Sequence, residues 1–350
     1  MKKLLFSGEL PPKSIHGVSY SNEINLNFLR QKFKVICDEE FVPFIQHKKF
    51  DIGKTRNFFK RIFRIVFLSL CNKFSYFYIV FSTSTIGALK TLIIISTFKC
   101  FNCSKVIVHI HRGDLQSFIS SKSINKWIFK LVTKFTDSYI VLSENTRNYI
   151  HSNFTDNVHV LNNTVNFEYS FKKQESRIKT ENFNFLYISN YIEEKGILLL
   201  LEVFHELPNN FKIHCYGNFT DPLLKDKIMS YKSANISING AIDGRYKYEK
   251  INQSDALILP SYNEGKPLIL LEAMSVGTAF IASDVGYISE MAYENYPYLY
   301  CPNSKEELLH TIVKFTNDTD IQQTSKKLRQ KYQSQFSHKI HRTELLKIFK

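Results

Sequence analysis

Residues 256–286 read ALILPSYNEGKPLILLEAMSVGTAFIASDVG, and this stretch decides the fold. A short apolar run, ALILP, is followed by the polar turn SYNEG, then by the apolar LILLEAM, closed by Gly277, and then by a second short run, AFIAS. Strand, turn, helix and strand in that order make a βα repeat, the unit of a parallel sheet. Pro267 suits the first helical position, where a missing N–H leaves nothing unsatisfied, and Gly277 suits a helix end. The helix start at Gly265, Lys266, Leu268 and Ile269 then offers backbone N–H groups with no acceptor inside the helix and the positive end of its dipole behind them. A phosphate fits such a place without any special side chain.

The same alternation extends over the chain. Candidate strands are KLLFSG, FYIVFS, KVIVHIH, SYIVLS and VHVLN, then, after a break, FNFLYIS, FKIHCYG, ISINGA, ALILP and AFIAS. The break is residues 166–182, NFEYSFKKQESRIKTEN, polar and charged with little apolar periodicity, and it reads as a linker. The expectation is an α/β chain of two Rossmann-like domains with parallel sheets facing across a cleft: residues 1–165, the linker 166–182, residues 183–325, and a C-terminal helical segment 326–350 of unassigned packing. Ligands of such sheets bind beyond the carboxyl ends of the strands.

Glu264 lies in the SYNEG turn, and Glu272 follows within the helix. Six helical residues from Pro267 to Glu272 rise about 8 Å, so two carboxylates can bracket a ligand with hydroxyls on either side of a phosphate. A nucleotide sugar has that layout, with sugar, diphosphate and ribose in line. Two isolated glutamates at a turn and on a helix surface are also ordinary, since acidic residues are mostly exposed.

The spacing does not stand alone. Glu-x7-Glu within PSYNEGKPLILLEAMSVG, followed by ASDVG, resembles the signature of the retaining glycosyltransferases of family 4, which have the GT-B fold. GELPPKSIHGVSYSN is similar to that family's first strand and glycine-containing loop, with Gly17 at the close-approach position. VIVHIHRGD is similar to its acceptor-side loop with His111, and FLYISNYIEEKGILLLLEVFHEL to its phosphate-binding strand, loop and helix. There the family commonly has an Arg and a Lys-Gly pair; this chain has Lys195 and Gly196, but Asn190 where the Arg usually is. The resemblance implies that Lys195 and the N–H groups before Leu268 stabilise the leaving diphosphate, that Glu264 contacts the transferred sugar and Glu272 the ribose, and that His111 holds a donor hydroxyl or phosphate at the reacting centre. It implies no cofactor and no metal, the donor being a UDP- or GDP-sugar. Asp318-Thr319-Asp320 matches the metal-binding tripeptide of a different glycosyltransferase class, but it falls in the polar stretch FTNDTDIQQ, far from a strand end.

Composition bounds the partners. With 44% hydrophobic and 22% charged residues the chain builds packed cores and is not disordered. Residues 1–180 contain 27 basic and 12 acidic side chains against 19 and 20 in the remainder, so the whole positive excess lies in the N-terminal half. Such asymmetry asks for an anionic partner of that half. Residues 47–67, HKKFDIGKTRNFFKRIFRIVF, interleave Lys48, Lys49, Lys54, Arg56, Lys60, Arg61 and Arg64 with Phe58, Phe59, Phe63 and Phe67 at helical spacing. This is the pattern of a helix lying on an anionic membrane surface; a solvated helix face has it too. The start MKKLLFSGEL lacks a signal-peptide core, and no uninterrupted apolar stretch of about 20 residues is present. The six cysteines are expected to be free thiols, and Cys100 and Cys103 with His109 and His111 only imitate zinc-ligand spacing.

The expected function is glycosyl transfer from a nucleotide sugar to a saccharide acceptor, lipid-linked, in bacterial surface polysaccharide synthesis such as O-antigen or capsule. The expected location is the cytoplasm, at the inner face of the cytoplasmic membrane, with no nucleic acid bound. Alternatives are an inactive glycan- or nucleotide-binding relative, to which Asn190 points, a nucleotide-sugar epimerase, and a basic nucleic-acid-binding protein, for which no recognisable motif is present.

Overall fold

The structure, a computed structural model, describes residues 1–39, 52–165 and 182–350. Nearly all of the expected linker 166–182, and residues 47–51 of the basic stripe, lie outside the described residues. The chain divides into two compact units, Met1–Thr164 with Lys339–Lys350, and Val165–His338.

The first unit runs β1 (Lys3–Gly8), α1 (Gly17–Arg30), β2 (Lys34–Glu39), α2 (Ile52–Cys71), β3 (Tyr76–Val80), α3 (Thr85–Phe101), β4 (Lys105–Ile110), α4 (Leu115–Ser121), α5 (Ser123–Phe135), β5 (Ser138–Val141), α6 (Glu144–Asn153) and β6 (Val158–Val160). Its six strands form one parallel sheet in the order β2-β1-β3-β4-β5-β6. Parallel sheets bury both faces, and the side chains of each strand divide accordingly. Leu5, Phe77 and Ile79 join Ile65 of α2, Ile95 of α3 and Ile128 of α5 in one core. Leu4, Phe6, Tyr76 and Tyr78 join Leu26 and Leu29 of α1 in the other. Arg61, expected on the membrane-facing stripe, instead turns inward. Its Nε donates to Asp38 Oδ2 at 2.7 Å and a terminal nitrogen to Ser7 Oγ at 2.6 Å. Asp38 is 1% exposed, and a carboxylate so buried requires a charged partner.

The second unit runs β7 (Phe183–Ile188), α7 (Ile197–Glu206), β8 (Phe211–Tyr216), α8 (Pro222–Met229), β9 (Ile236–Asn239), α9 (Gly244–Gln253), β10 (Ala256–Leu259), α10 (Leu268–Val276), β11 (Ala279–Ser283), α11 (Ile288–Met291), β12 (Leu299–Tyr300), α12 (Lys305–Asn317) and α13 (Ile321–Lys331), with α14 (His338–Ile348) after it. Its parallel sheet has the order β12-β11-β10-β7-β8-β9. Counted within the unit this is 3-2-1-4-5-6 reversed, the doubly wound order of dinucleotide-binding sheets. The winding of the strand order reverses between the parallel neighbours β7 and β10, so the crevice opens beyond their carboxyl ends.

The C-terminal segment is shared between the units. Leu328, Tyr332 and Phe336 belong to the second unit's core, whereas Leu345 of α14 and Phe349 pack in the first, Phe349 with its ring centroid 5.3 Å from Tyr76 and 5.7 Å from Phe33.

Candidate functional site

The turns after β7 and β10 are built as one piece. Gly196 sits at φ +67 at the end of a single 3-10 turn, Glu193–Lys195, and a Cβ there would lie 1.9 Å from the Pro260 carbonyl oxygen. Only glycine allows both the left-handed backbone and the approach. The Tyr262 N–H donates to the Glu194 carbonyl at 2.9 Å, a second tie between the two turns. Across this seam Lys195 Nζ is 2.7 Å from Glu264 Oε1, which also accepts from Ser261 Oγ at 2.8 Å.

A third loop braces the second. Gly286, at φ +60 in the ASDVG turn after β11, would place a Cβ 1.9 Å from the Glu264 carbonyl oxygen. The Tyr287 N–H donates to the Gly265 carbonyl at 3.3 Å, and Ser283 Oγ donates to the Ser261 carbonyl. The signature thus folds back on itself, its last glycine against its first glutamate.

α10 starts at Leu268 and ends in Gly277 at φ +76, with no side-chain cap at its N-terminus. Pro267 stays extended, at φ −66 and ψ 128, one position ahead of where a first-turn proline was expected. The residues before it are held from outside the helix, Gly265 by Tyr287 and Lys266 by Glu290 of α11 at 3.2 Å. Lys266 is buried, so its place in an anion site concerns its backbone rather than its ammonium. Three residues separate Glu264 from the helix start, where the dipole favours negative charge.

Glu272 is buried in α10 and meets Lys247 of α9, Nζ to Oε1 2.8 Å; Lys247 also pairs with Asp243 at 3.2 Å. Burial pushes the Glu272 carboxyl up, and Lys247 opposes that shift. Burial alone would lower Lys247, but Glu272 and Asp243 together hold its ammonium above its ordinary range. Glu272 Oε2 is buried without a hydrogen-bond partner, an acceptor that a ligand hydroxyl would satisfy. Nothing in the sequence marked Lys247, which lies in no recognised motif; an Asp and a Lys four residues apart, as Asp243 and Lys247 are, make an ordinary helix-surface pair.

Asn190 follows β7, half-buried, its carbonyl accepting from the Ile192 N–H at 2.9 Å. The second unit therefore brings together Lys195, Glu264, Gly265, Lys266, Leu268 and Ile269 around one seam, with Asn190 on the β7 side and Glu272 farther along α10.

His111 and Gly17 belong to the first unit. His111 directly follows β4 and is buried, with neither ring nitrogen hydrogen-bonded. Burial, with the neighbouring His341 and His16, pushes it down to about 3, so the ring is neutral. Its centroid lies 3.8 Å from that of His109, whose Nδ1 pairs with the Tyr78 hydroxyl. Gly17 begins α1, and a Cβ there would meet nothing within 4 Å, so packing within the protein does not require the glycine. Cys100 and Cys103 are exposed while His109 and His111 are buried, and among the described residues no group of three or more His, Cys, Asp and Glu is placed to hold a metal. Asp318 accepts from the Tyr298 hydroxyl and, at 2.7 Å, from the Asp320 N–H ahead of α13, a structural use of that tripeptide.

Comparison with known proteins agrees with this geometry. An uncharacterized glycosyltransferase of Methanocaldococcus jannaschii is 24% identical over 238 residues, 66% of this chain and 64% of that protein. TuaC of Bacillus subtilis, named for teichuronic acid biosynthesis as a glycosyltransferase, is 26% identical over 38% of this chain and 33% of its own length. The chain thus spans less than two thirds of the length of either relative. The structure of Anabaena HepE, solved with UDP and glucose, superposes with a TM-score of 0.73 at 14% identity, covering 100% of this chain and 99% of that one. The family model described as "Glycosyl transferases group 1" matches residues 168–335, which span the Lys195 and Glu264 turns and both of their bracing glycines. The chain has the GT-B fold, and its residues 168–335 match the glycosyl transferases group 1 family.

Proposed function

We propose that this protein transfers a sugar, with retention as in family 4, from a UDP- or GDP-sugar to a saccharide acceptor, lipid-linked, in the assembly of a surface polysaccharide. The observation that carries the reading is the Lys195–Glu264 pair at the switch point of the second unit's sheet, beside the uncapped start of α10. As the bond from the anomeric carbon to the diphosphate breaks, negative charge grows on the leaving oxygen and positive charge on the carbon. Lys195 and the first-turn N–H groups of α10 are the donors for the leaving diphosphate, and Glu264 is the carboxylate for the sugar. These groups serve without a divalent metal. Glu272, with one unpartnered oxygen, would take the ribose hydroxyls, and the neutral His111 a sugar hydroxyl. Gly17 leaves open space on the first unit for a ligand. HepE's UDP and glucose, and TuaC's polymer, support the donor and acceptor classes by likeness. We place the enzyme at the inner face of the cytoplasmic membrane, attached through its basic first unit; among the described residues no helix is long and apolar enough to cross a membrane.

The test is a panel of nucleotide sugars read first by heat stabilisation and then by transfer to a saccharide acceptor, with EDTA present and absent. Stabilisation by one donor, with transfer unaffected by EDTA, is expected; no stabilisation by any donor would overturn the reading. Asn190, standing where a phosphate-binding Arg is usual, favours a second reading, a relative that binds nucleotide without turnover. Donor binding with neither transfer nor donor hydrolysis would establish that instead.

A further inference from the structure

Among its described residues the first unit presents an exposed apolar surface. Along α2, Phe59, Phe63, Phe67 and Leu70 recur at helical spacing and are 56%, 73%, 64% and 67% exposed. Ile86 and Leu89 of α3 and Ile124 and Trp127 of α5 are exposed as well. The three helices pack side by side, α2 on α3 and α3 on α5, and cover the same face of the sheet, so these side chains share one wall. Among the described residues of the second unit the exposed large apolar side chains are Leu223 and Met229 at either end of α8, Tyr246 of α9, Tyr262 of the turn after β10 and Val313 of α12. An extended exposed apolar surface of this kind marks an interaction site.

Charge selects the occupant. The sequences of α2, α3 and α5 contain five, two and three basic residues and no acidic one. Arg61 is committed to Asp38, and Arg64 donates to the Cys37 carbonyl at 2.8 Å, but Lys60, Lys126 and Lys130 are exposed. Aromatic and aliphatic side chains among exposed lysines are what the interface of an anionic bilayer accepts, rings and chains entering the headgroup boundary and ammonium groups meeting lipid phosphates. A second copy of this chain would oppose two faces of like charge. A nucleic acid would meet the lysines with phosphate but leave the exposed phenylalanines and Trp127 without a partner.

We propose that the first unit docks on anionic membrane through the wall formed by α2, α3 and α5. The inference deepens the reading of a lipid-linked acceptor, but vesicle binding needs neither donor nor acceptor, so the two fail separately. The proposed surface is wider than the expected stripe of residues 47–67, extending over three helices rather than one.

Trp127 is the chain's only tryptophan and lies in the wall, so its fluorescence reports this surface alone. Full-length protein mixed with vesicles of phosphatidylcholine containing about one third phosphatidylglycerol is expected to co-sediment and to shift Trp127 emission to the blue, while pure phosphatidylcholine gives little of either. Exchanging Phe59, Phe63 and Phe67 together for Ser should weaken vesicle binding at least roughly tenfold through lost apolar transfer. Exchanging Lys60, Lys126 and Lys130 for Gln should weaken it about a hundredfold, near fivefold per charge. All six side chains are exposed, so both variants should keep the wild-type melting temperature. Absence of wild-type binding to anionic vesicles, or binding that leaves Trp127 emission unchanged, overturns the proposal. So does a dimer that the Phe variant dissociates without any vesicle affinity, or tight binding to duplex DNA that the Phe variant retains.

Discussion

Lys195 Nζ and Glu264 Oε1, 2.7 Å apart, join the turn after β7 to the turn after β10 by one ion pair. The pair is shielded rather than deeply buried, with side-chain exposures of 27% and 10%, so a ligand can reach it. On the proposed reading, a diphosphate arriving at Lys195 would compete with Glu264 for the ammonium and release the carboxylate toward whatever lies beside the phosphate.

Glu264→Gln should therefore separate binding from turnover. Removing the carboxylate leaves Lys195 uncompensated, so the affinity for free nucleoside diphosphate should hold or rise. Turnover should fall at least about tenfold, equivalent to about 1.4 kcal/mol of barrier. Calorimetry with the nucleotide and a transfer assay on the same preparation decide it, and near-normal turnover removes Glu264 from the site.

Lys195→Ala should act in the opposite sense on binding. A charge-assisted hydrogen bond contributes about 1.5–3 kcal/mol, which is roughly tenfold to a hundredfold in nucleoside-diphosphate affinity. Asn190→Arg, restoring a cation on the β7 side, should tighten binding and partly compensate the Lys195→Ala variant. Unchanged affinity in Lys195→Ala would take the phosphate site elsewhere.

Much of this was legible in the sequence, and the gaps have physical causes. The ten candidate strands all appear, because short buried apolar runs between turn residues leave few alternatives. β2, KVICDE, escaped notice because it lies at the sheet edge with a charged, half-exposed pattern, and β12 because it has two residues. Gly196 and Gly286 were visible within motifs, but their reason, the carbonyl oxygens of Pro260 and Glu264, exists only in three dimensions. Lys247 was invisible because it meets Glu272 from a neighbouring helix, 25 residues away.

Gly286→Ala and Gly17→Ala should behave as opposites. At Gly286 the new Cβ collides with the Glu264 carbonyl on a backbone at φ +60, so the loop must move and the melting temperature should drop by several degrees, along with turnover. At Gly17 the new Cβ enters open space, so stability should be kept. If a donor group approaches there, Gly17→Ala raises the KM for the donor without touching the melting temperature. A normal KM would leave Gly17 as an ordinary helix start.

The Lys247–Glu272 pair should be strongly non-additive. Removing one partner of a buried ion pair typically costs about 3–5 kcal/mol, because the other charge is left uncompensated. Lys247→Met should therefore destabilise the second unit markedly and raise the Glu272 carboxyl further. The double variant Lys247→Met with Glu272→Gln should recover most of that loss. Denaturant melts of the four proteins measure the coupling, and additive effects would show that the pair is not desolvated.

His111 should make the first unit acid-sensitive. Its folded-state value is pushed down to about 3, against about 6.5 for an unfolded histidine, so between those values the unfolded chain binds more protons than the folded one. Stability is then fully present above about pH 6.5 and declines as pH falls toward 3, by up to about 1.4 kcal/mol per unit. Between pH 7.5 and pH 5.0 the loss from this one residue is about 2 kcal/mol. His111→Asn, which cannot titrate, should melt less acid-sensitively by that amount, although His109, depressed by burial in the same way, keeps part of the slope. The neutral ring has a second consequence for function. A group that does not gain charge between pH 6 and 8 cannot act as a cation toward phosphate, so turnover should show no inflection near pH 6.5 that His111→Asn abolishes. Such an inflection would mean that ligand binding recharges His111, and its role would then be electrostatic rather than that of a neutral hydrogen-bonding partner.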